Sequence, residues 1–364
     1  MKNRYLILEN GAVFQGEAFG ADGEVTAEIV FTTAMTGFFE TLTDKSYTGQ
    51  AVVQTFPLIG NYGVIPEDAE GDRVGPSAYI VREWCRHPSN FRSRSDLDAF
   101  LKARGVVGLC RVDTRALTRM LRERGVMNGV ITDTPEHADR ARLAAFRIQS
   151  PVQAVSAKTP RIVEADPARF RVALFDFGLK ENICRMLVQR GCTVHVLPWD
   201  TSAGDVLALQ PDGIFLSNGP GDPTDNPTVI ETLRSLAPAG IPTMGICLGH
   251  QLLALANGFS TEKLKYGHRG ANQPVKDLQT GRVYITSQNH GYAVVPASVD
   301  REIAEVRFVN VNDGTNEGLR YRHAPTVSVQ FHPEACGGPQ DTAFLFDEFI
   351  QMMEVHAHAA RSAH

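Results

Sequence analysis

The sequence contains no Cys-x-x-C pair. Its six cysteines, Cys85, Cys110, Cys184, Cys192, Cys247 and Cys336, are scattered, so their spacing supplies neither a zinc site nor a disulfide framework. No Gly-Lys dipeptide occurs, which excludes a Walker loop, and no G-x-G-x-x-G follows an extended segment. Nucleotide binding by this chain is therefore not expected, nor is a metal. No apolar run approaches the length of a membrane span. The opening Met1-Lys-Asn-Arg-Tyr-Leu-Ile-Leu-Glu9 lacks the apolar core of a signal peptide, so the expected compartment is the cytoplasm. Charge of neither sign dominates: the net charge of −5 gives no electrostatic reason to expect nucleic acid or an anionic membrane as partner.

A soluble globular chain of 364 residues predicts two domains more readily than one. Residues 1 to about 65 read as short extended segments punctuated by Gly11, Gly16, Gly37, Gly49 and Gly60. Two helical stretches follow, Asp96 to Arg104 and Asp113 to Arg124. In the second, Asp113 serves as N-cap, Gly125 ends the helix and Leu117, Met120 and Leu121 form its apolar stripe. Arg115, Arg119 and Arg122 fall on another face, read as solvated. Residues 1–150 are assigned to an N-terminal domain of mixed α+β type. Residues 151–170, rich in proline and alanine, are assigned to a linker.

From Arg171 the character changes. Val172–Phe177, Thr193–Leu197, Gly213–Ser217 and Ile241–Ile246 read as buried strands. Leu179–Arg190 and Asn226–Leu236 read as the helices between them. That alternation predicts an α/β domain over 171–364, a mostly parallel sheet covered on both faces. Sites in such sheets lie beyond the carboxyl ends of the strands.

At one of those ends stands Gly245-Ile-Cys247-Leu-Gly249. This is a cysteine version of the nucleophile elbow, a sharp strand-to-helix corner where bulky flanking side chains would collide. The corner thiol projects beside the positive end of the following helix, which favours the thiolate. Far downstream, Thr326-Val-Ser-Val-Gln-Phe-His332-Pro-Glu334 reads as a strand running into a histidine and a carboxylate two residues apart. Both could face one point, a base steadied by an acid. Asn218-Gly-Pro-Gly-Asp-Pro223 leaves another strand at the same edge, and its exposed N–H groups suit an oxyanion. His250 and His290 read as structural hydrogen-bonding residues. His268, in Tyr266-Gly-His-Arg-Gly270, is left unassigned, and the tail from His356 to His364 is expected to be disordered.

Together the elbow, the His-Pro-Glu and the Gly-Pro-Gly loop resemble the class I, triad-type glutamine amidotransferase domain over residues 171 to about 355. The N-terminal half is similar to that of the small subunits of glutamine-dependent carbamoyl-phosphate synthases. Phe31-Thr-Thr-Ala-Met-Thr-Gly37, Thr41-Leu-Thr-Asp-Lys-Ser-Tyr47, Phe56-Pro-Leu-Ile-Gly-Asn-Tyr-Gly63 and Val112-Asp-Thr-Arg-Ala-Leu-Thr-Arg119 carry that likeness. The resemblance implies Cys247 as nucleophile, His332 as base and Glu334 as its orienting acid. It implies oxyanion donation from the N–H groups of Gly219 and Leu248. It places glutamine contacts at Ser46, Gly219, Gly221, Leu248, Gln251, Asn289, Gly291 and Tyr292. Phe331, Tyr292 and Lys45 depart from residues frequent in the family, which often has Gly, Phe and Pro there.

The implied activity is hydrolysis of L-glutamine to glutamate and ammonia through a thioester. The implied partner is a large synthetase subunit, in a heterodimer or an oligomer of heterodimers. That subunit would make carbamoyl phosphate from ammonia, bicarbonate and ATP for arginine and pyrimidine synthesis. ATP and magnesium would belong to it, leaving this chain without a cofactor. A catalytically silent regulatory subunit, a stand-alone γ-glutamyl hydrolase and the amidotransferase of another synthase are the competing expectations.

Overall fold

The structure, a computed structural model, describes residues 2–362, with side chains to His358. The chain divides between Pro151 and Val152 into two compact units. The first holds β1 (Asn3–Leu8), β2 (Val13–Gly20), β3 (Val25–Thr32), β4 (Gln50–Gln54), β5 (Leu58–Ile59), β6 (Ala78–Ile80), β7 (Glu83–Trp84), β8 (Val107–Cys110) and β9 (Met127–Thr132). Seven of these close into a barrel in the order β1-β2-β8-β6-β4-β3-β9, while β5 and β7 pair separately. Closure satisfies every ladder and leaves the barrel no open edge. Val30, Val52 and Tyr79 pack in one apolar cluster with Phe38, Phe39 and Leu42 of helix α1 (Phe38–Thr43).

A charge is buried in this unit. Arg4 is wholly buried, donates to the carbonyls of Phe19, Ala21 and Gly108, and pairs with Asp133 at 2.8 Å. Helices α2 (Leu97–Ala103) and α3 (Thr114–Arg124) start where the Asp96 and Asp113 side chains accept from the N–H groups of Ala99 and Ala116. Leu117 and Leu121 are buried, and Arg115, Arg119 and Arg122 face solvent. A short helix, α4 (Arg140–Ala145), follows β9.

The stretch 151–170 is more structured than a linker. It contains α5 (Pro151–Val155) and β10 (Arg161–Val163), an edge strand of the second unit that pairs antiparallel with β12 (Cys192–Pro198). Three-residue edge strands carry almost no periodic signal, which is why composition alone suggested a linker. The other strands are β11 (Phe170–Asp176), β13 (Gly213–Leu216), β14 (Thr243–Ile246), β15 (Thr261–Asp277), β16 (Val283–Val294), β17 (Ala304–Asn310), β18 (Asn316–Tyr321) and β19 (Thr326–Val329). With β10 and β12 they form one sheet ordered β10-β12-β11-β13-β14-β19-β18-β17-β15-β16. The strands from β12 to β19 in that order run parallel, and those from β18 to β16 continue the sheet antiparallel.

Alternate residues of β11 serve opposite faces. Val172 and Leu174 pack with α6 (Glu181–Val188) and α10 (Phe344–Ser362). Ala173 and Phe175 pack with α7 (Ala203–Ala208), α8 (Pro227–Leu236) and α9 (Leu248–Ala256). Helix α10 takes in His356 and His358, so the expected disordered tail is helical to Ser362, while His364 lies outside the described residues. Among the described residues no helix is long and apolar enough to cross a membrane.

Candidate active site

Cys247 stands between β14 and α9 with φ 53° and ψ −103°. A non-glycine residue held there stores on the order of 1–3 kcal/mol. The flanking glycines explain how the corner forms. A Cβ at Gly249 would collide with the Leu216 carbonyl on β13, and one at Gly245 would come within 2.8 Å of the Gly249 backbone. The Cys247 N–H is tied to the Val329 carbonyl at 2.8 Å, fixing the corner to β19. Its Sγ lies 3.7 Å from the Asn289 carbonyl, and the residue is 3 % exposed.

His332 and Glu334 are both buried, with Nδ1 and Oε1 2.6 Å apart. The pairing is not made by strand alternation. β19 ends at Val329 and both residues lie in the turn beyond it, where Pro333 bends the chain and brings the carboxylate back onto the ring. The His332 N–H donates to the Ser287 carbonyl, and the Asn182 side-chain amide donates to the Glu334 carbonyl. Phe331 is fully buried edge-on to Phe308 at 5.3 Å, so this departure from the family residue fills core volume.

Two groups here were not singled out from the sequence. Lys180 Nζ lies 3.4 Å from His332 Nδ1 and 3.6 Å from Glu334 Oε1, a cation facing both. Its backbone N–H is held by Asn218 Oδ1, whose amide donates to the Gly178 carbonyl. The sequence offered only Asp176-Phe-Gly-Leu-Lys180, a strand end leading to a helix start. Asn182 has no such signal, since nothing local marks its partner 152 residues away.

Burial and the Lys180 charge both act against protonation of His332. The Glu334 carboxylate and hydrogen bonding to Cys247 and Glu334 outweigh them, and the ring is raised to about 9. Burial would raise Glu334, but the His332 and Lys180 charges hold it below the ordinary carboxylate range. At neutral pH the pair is therefore imidazolium beside carboxylate. The two histidines read as structural are neutral. Burial drives His250 down to about 3, with Nδ1 2.8 Å from Ser328 Oγ. Burial and then the His268 charge take His290 well below its ordinary value, and its Nδ1 sits 2.8 Å from the Tyr292 carbonyl.

Of the expected glutamine contacts in this unit, Gly219 and Leu248 are brought together. A Cβ at Gly219 would lie 2.8 Å from a Leu248 methyl and would strike the Phe177 carbonyl. Gly221 turns the loop at φ 92°. Gln251 Nε2 donates to the Tyr292 carbonyl and to Gln330 Oε1, both at 2.8 Å, tying the elbow helix to β16 and to the residue that follows β19. Asn289 and Gly291 lie on β16, where a Cβ on Gly291 would sit 3.2 Å from the Arg269 guanidinium. The Tyr292 ring lies under Lys263 at 5.9 Å. Ser46 is in the first unit, in the turn Lys45–Tyr47, with its N–H held by Asp44. Lys45 beside it is buried and pairs with Asp72 at 2.8 Å.

A thiol on a strained corner, a buried imidazolium–carboxylate pair and a glycine loop define a class I glutamine amidotransferase site, and residues 173–352 match the family model "Glutamine amidotransferase class-I". Residues 6–131 match a second model, "Carbamoyl-phosphate synthase small chain, CPSase domain". The chain is 49 % identical over 354 residues to the carbamoyl phosphate synthase small chain of Bacillus cereus, covering 96 % of each. It is 49 % identical to the chain of that name in Clostridium perfringens, over 95 % of this chain and 98 % of that one. The protein of Symbiobacterium thermophilum with the same name is 48 % identical, over 98 % of this chain and 100 % of its own length. This chain belongs to the carbamoyl phosphate synthase small-chain family.

Proposed function

We propose that the chain hydrolyses L-glutamine at Cys247 and passes the ammonia to the large subunit of a carbamoyl phosphate synthase. The observation that carries this is the strained, buried Cys247 together with the His332–Glu334 pair at 2.6 Å. Substrate enters with its side-chain amide over Sγ. The proton of the thiol resides on His332, which Glu334 favours, and the thiolate attacks the amide carbon. Negative charge moves to the amide oxygen. The N–H groups of Gly219 and Leu248 meet it, and no group among the described residues accepts from either. One such donor contributes about 10²–10³ in rate.

His332 then gives its proton to the amide nitrogen, the C–N bond breaks, and ammonia leaves a γ-glutamyl thioester. Neutral His332 takes a proton from water, hydroxide attacks the thioester carbon, and glutamate departs as Sγ regains its charge. Glutamine is held by Gly219, Gly221, Leu248, Gln251, Asn289, Gly291 and Tyr292. The large subunit consumes the ammonia with bicarbonate and ATP, and its magnesium and nucleotide are not needed by this chain. The setting is the cytoplasm, in a heterodimer or an assembly of heterodimers that serves arginine and pyrimidine synthesis.

The test is Cys247→Ser in the complete complex. Glutamine-driven synthesis of carbamoyl phosphate is lost and ammonia-driven synthesis is kept. Loss of both would make Cys247 structural, and retention of both would place the chemistry elsewhere.

A further inference from the structure

Behind the segment 289–292 lies a buried polar cluster that the chemistry above does not use. β15 and β16 pair as Lys263↔Tyr292 and then His268↔His290, so four residues of β15 bulge opposite Gly291 alone. Gly267 in that bulge has φ 70°, and a side chain there would strike the His290 carbonyl. The bulge thus presses directly on the strand that carries Asn289, Gly291 and Tyr292.

The next residue, His268, anchors the bulge to the opposite side. Its Nε2 is 2.8 Å from Asp313 Oδ2, and its Nδ1 is 3.3 Å from Glu317 Oε1, within charge attraction although not aligned as a hydrogen bond. Glu317, on β18, is fully buried and accepts from the Asn310 amide. A ring with a carboxylate at each nitrogen is favoured as imidazolium, since neutral imidazole can donate from one nitrogen only. Burial opposes that charge, and the two carboxylates more than offset it. The His268 ring stands edge-on to His290 with centroids 4.9 Å apart. His290 in turn bonds the Tyr292 carbonyl, which also receives Gln251 from the elbow helix.

We propose that His268 is a positioning residue for glutamine: pinned between Glu317 and Asp313, it backs His290 and sets the segment 289–292 against Cys247. This rests on the glutamine site proposed above. His268, His290 and Glu317 bring potential ligand atoms within 4.8 Å of one another. A proton fits that cluster better than a metal, because both His268 nitrogens already face carboxylates and His290 Nδ1 faces a carbonyl.

The experiment compares His268→Gln, His268→Gln/Glu317→Gln and Cys247→Ser in the full complex with the large subunit. His268→Gln is expected to raise the KM for glutamine about tenfold with kcat changed much less, the mark of lost binding geometry. It also lowers Tm, because Glu317 is left buried without its cation. The double variant removes that charge, so Tm recovers while KM stays high. If KM returns to the wild-type value together with Tm, His268 is merely structural and the proposal is overturned. Wild-type KM in His268→Gln, with Cys247→Ser inactive on glutamine, overturns this inference alone. Glutamine hydrolysis surviving in Cys247→Ser overturns the functional reading and this inference with it. Equimolar zinc added to the wild type is expected to leave Tm unchanged. A rise in Tm that His268→Gln abolishes would make the cluster a metal centre and overturn the proposal.

Discussion

Glu334→Gln keeps an oxygen for His332 Nδ1 to bond and removes only the charge. In the wild type that carboxylate, 2.6 Å away, is what holds the buried ring at about 9 against burial and Lys180. The gap between about 9 and the ordinary 6.5 corresponds to ~3 kcal/mol at 1.36 kcal/mol per unit. With the charge gone, burial and the Lys180 ammonium act downward, each more strongly than the hydrogen bond to Cys247 acts upward, so the ring is expected to titrate below 6.5. At neutral pH His332 then no longer carries the proton that the departing nitrogen needs. Glutamine hydrolysis is expected to fall by about 10²–10⁴, the range for acid–base transfer. The direct assay is an NMR titration of ring-labelled His332 in both proteins.

Stability follows the same linkage. The contribution of a histidine raised on folding is complete below 6.5 and is lost as pH rises through about 9. Glu334, lowered on folding, contributes fully above 4.5 and loses its contribution as pH falls below that. Urea unfolding of the wild type is therefore expected to weaken from pH 6.5 to 9, and that of the variant to stay nearly flat there. A His332 that still titrates near 9 in Glu334→Gln would refute the reasoning.

Lys180→Met removes a charge that lowers both members of the pair, so His332 is expected to titrate above its wild-type value and Glu334 to rise as well, read by the same titration. Gly249→Ala drives a methyl into the Leu216 backbone of a central strand. It is expected to cost ~1–3 kcal/mol in urea unfolding and to abolish glutamine hydrolysis. A fully stable Gly249→Ala would mean the corner is looser than its packing implies. Asp113→Ala removes the N-cap of α3 and is expected to cost ~1 kcal/mol. Arg115→Ala on the solvated face of that helix should stay within about 0.5 kcal/mol.

What the sequence made legible was local. Gly245, Cys247 and Gly249 are spaced by the backbone geometry of one corner, and Asp113 with Gly125 marks the ends of one helix. The His332–Glu334 pair was expected for the wrong reason. Two-residue spacing suggested a shared strand face, whereas a proline turn after Val329 makes the contact. The barrel was not legible at all. Its closure depends on parallel pairings of β3, β4, β6 and β8 across long stretches of chain, and short extended runs do not specify partners. Lys180 escaped for a similar reason: it meets its partners through tertiary packing. His268 could not be assigned because Asp313 and Glu317 lie beyond two further strands, and a lone Gly-His-Arg carries no sign of them.

The covalent step is open to direct measurement by intact-mass and peptide mass spectrometry of the complex quenched during turnover of glutamine. A γ-glutamyl adduct on Cys247 in the wild type, absent from Cys247→Ser and diminished in Glu334→Gln, where the proton transfer that releases ammonia is impaired, is the expected result. An adduct on another residue, or turnover of glutamine by Cys247→Ser at the wild-type rate, would contradict thioester chemistry at this corner.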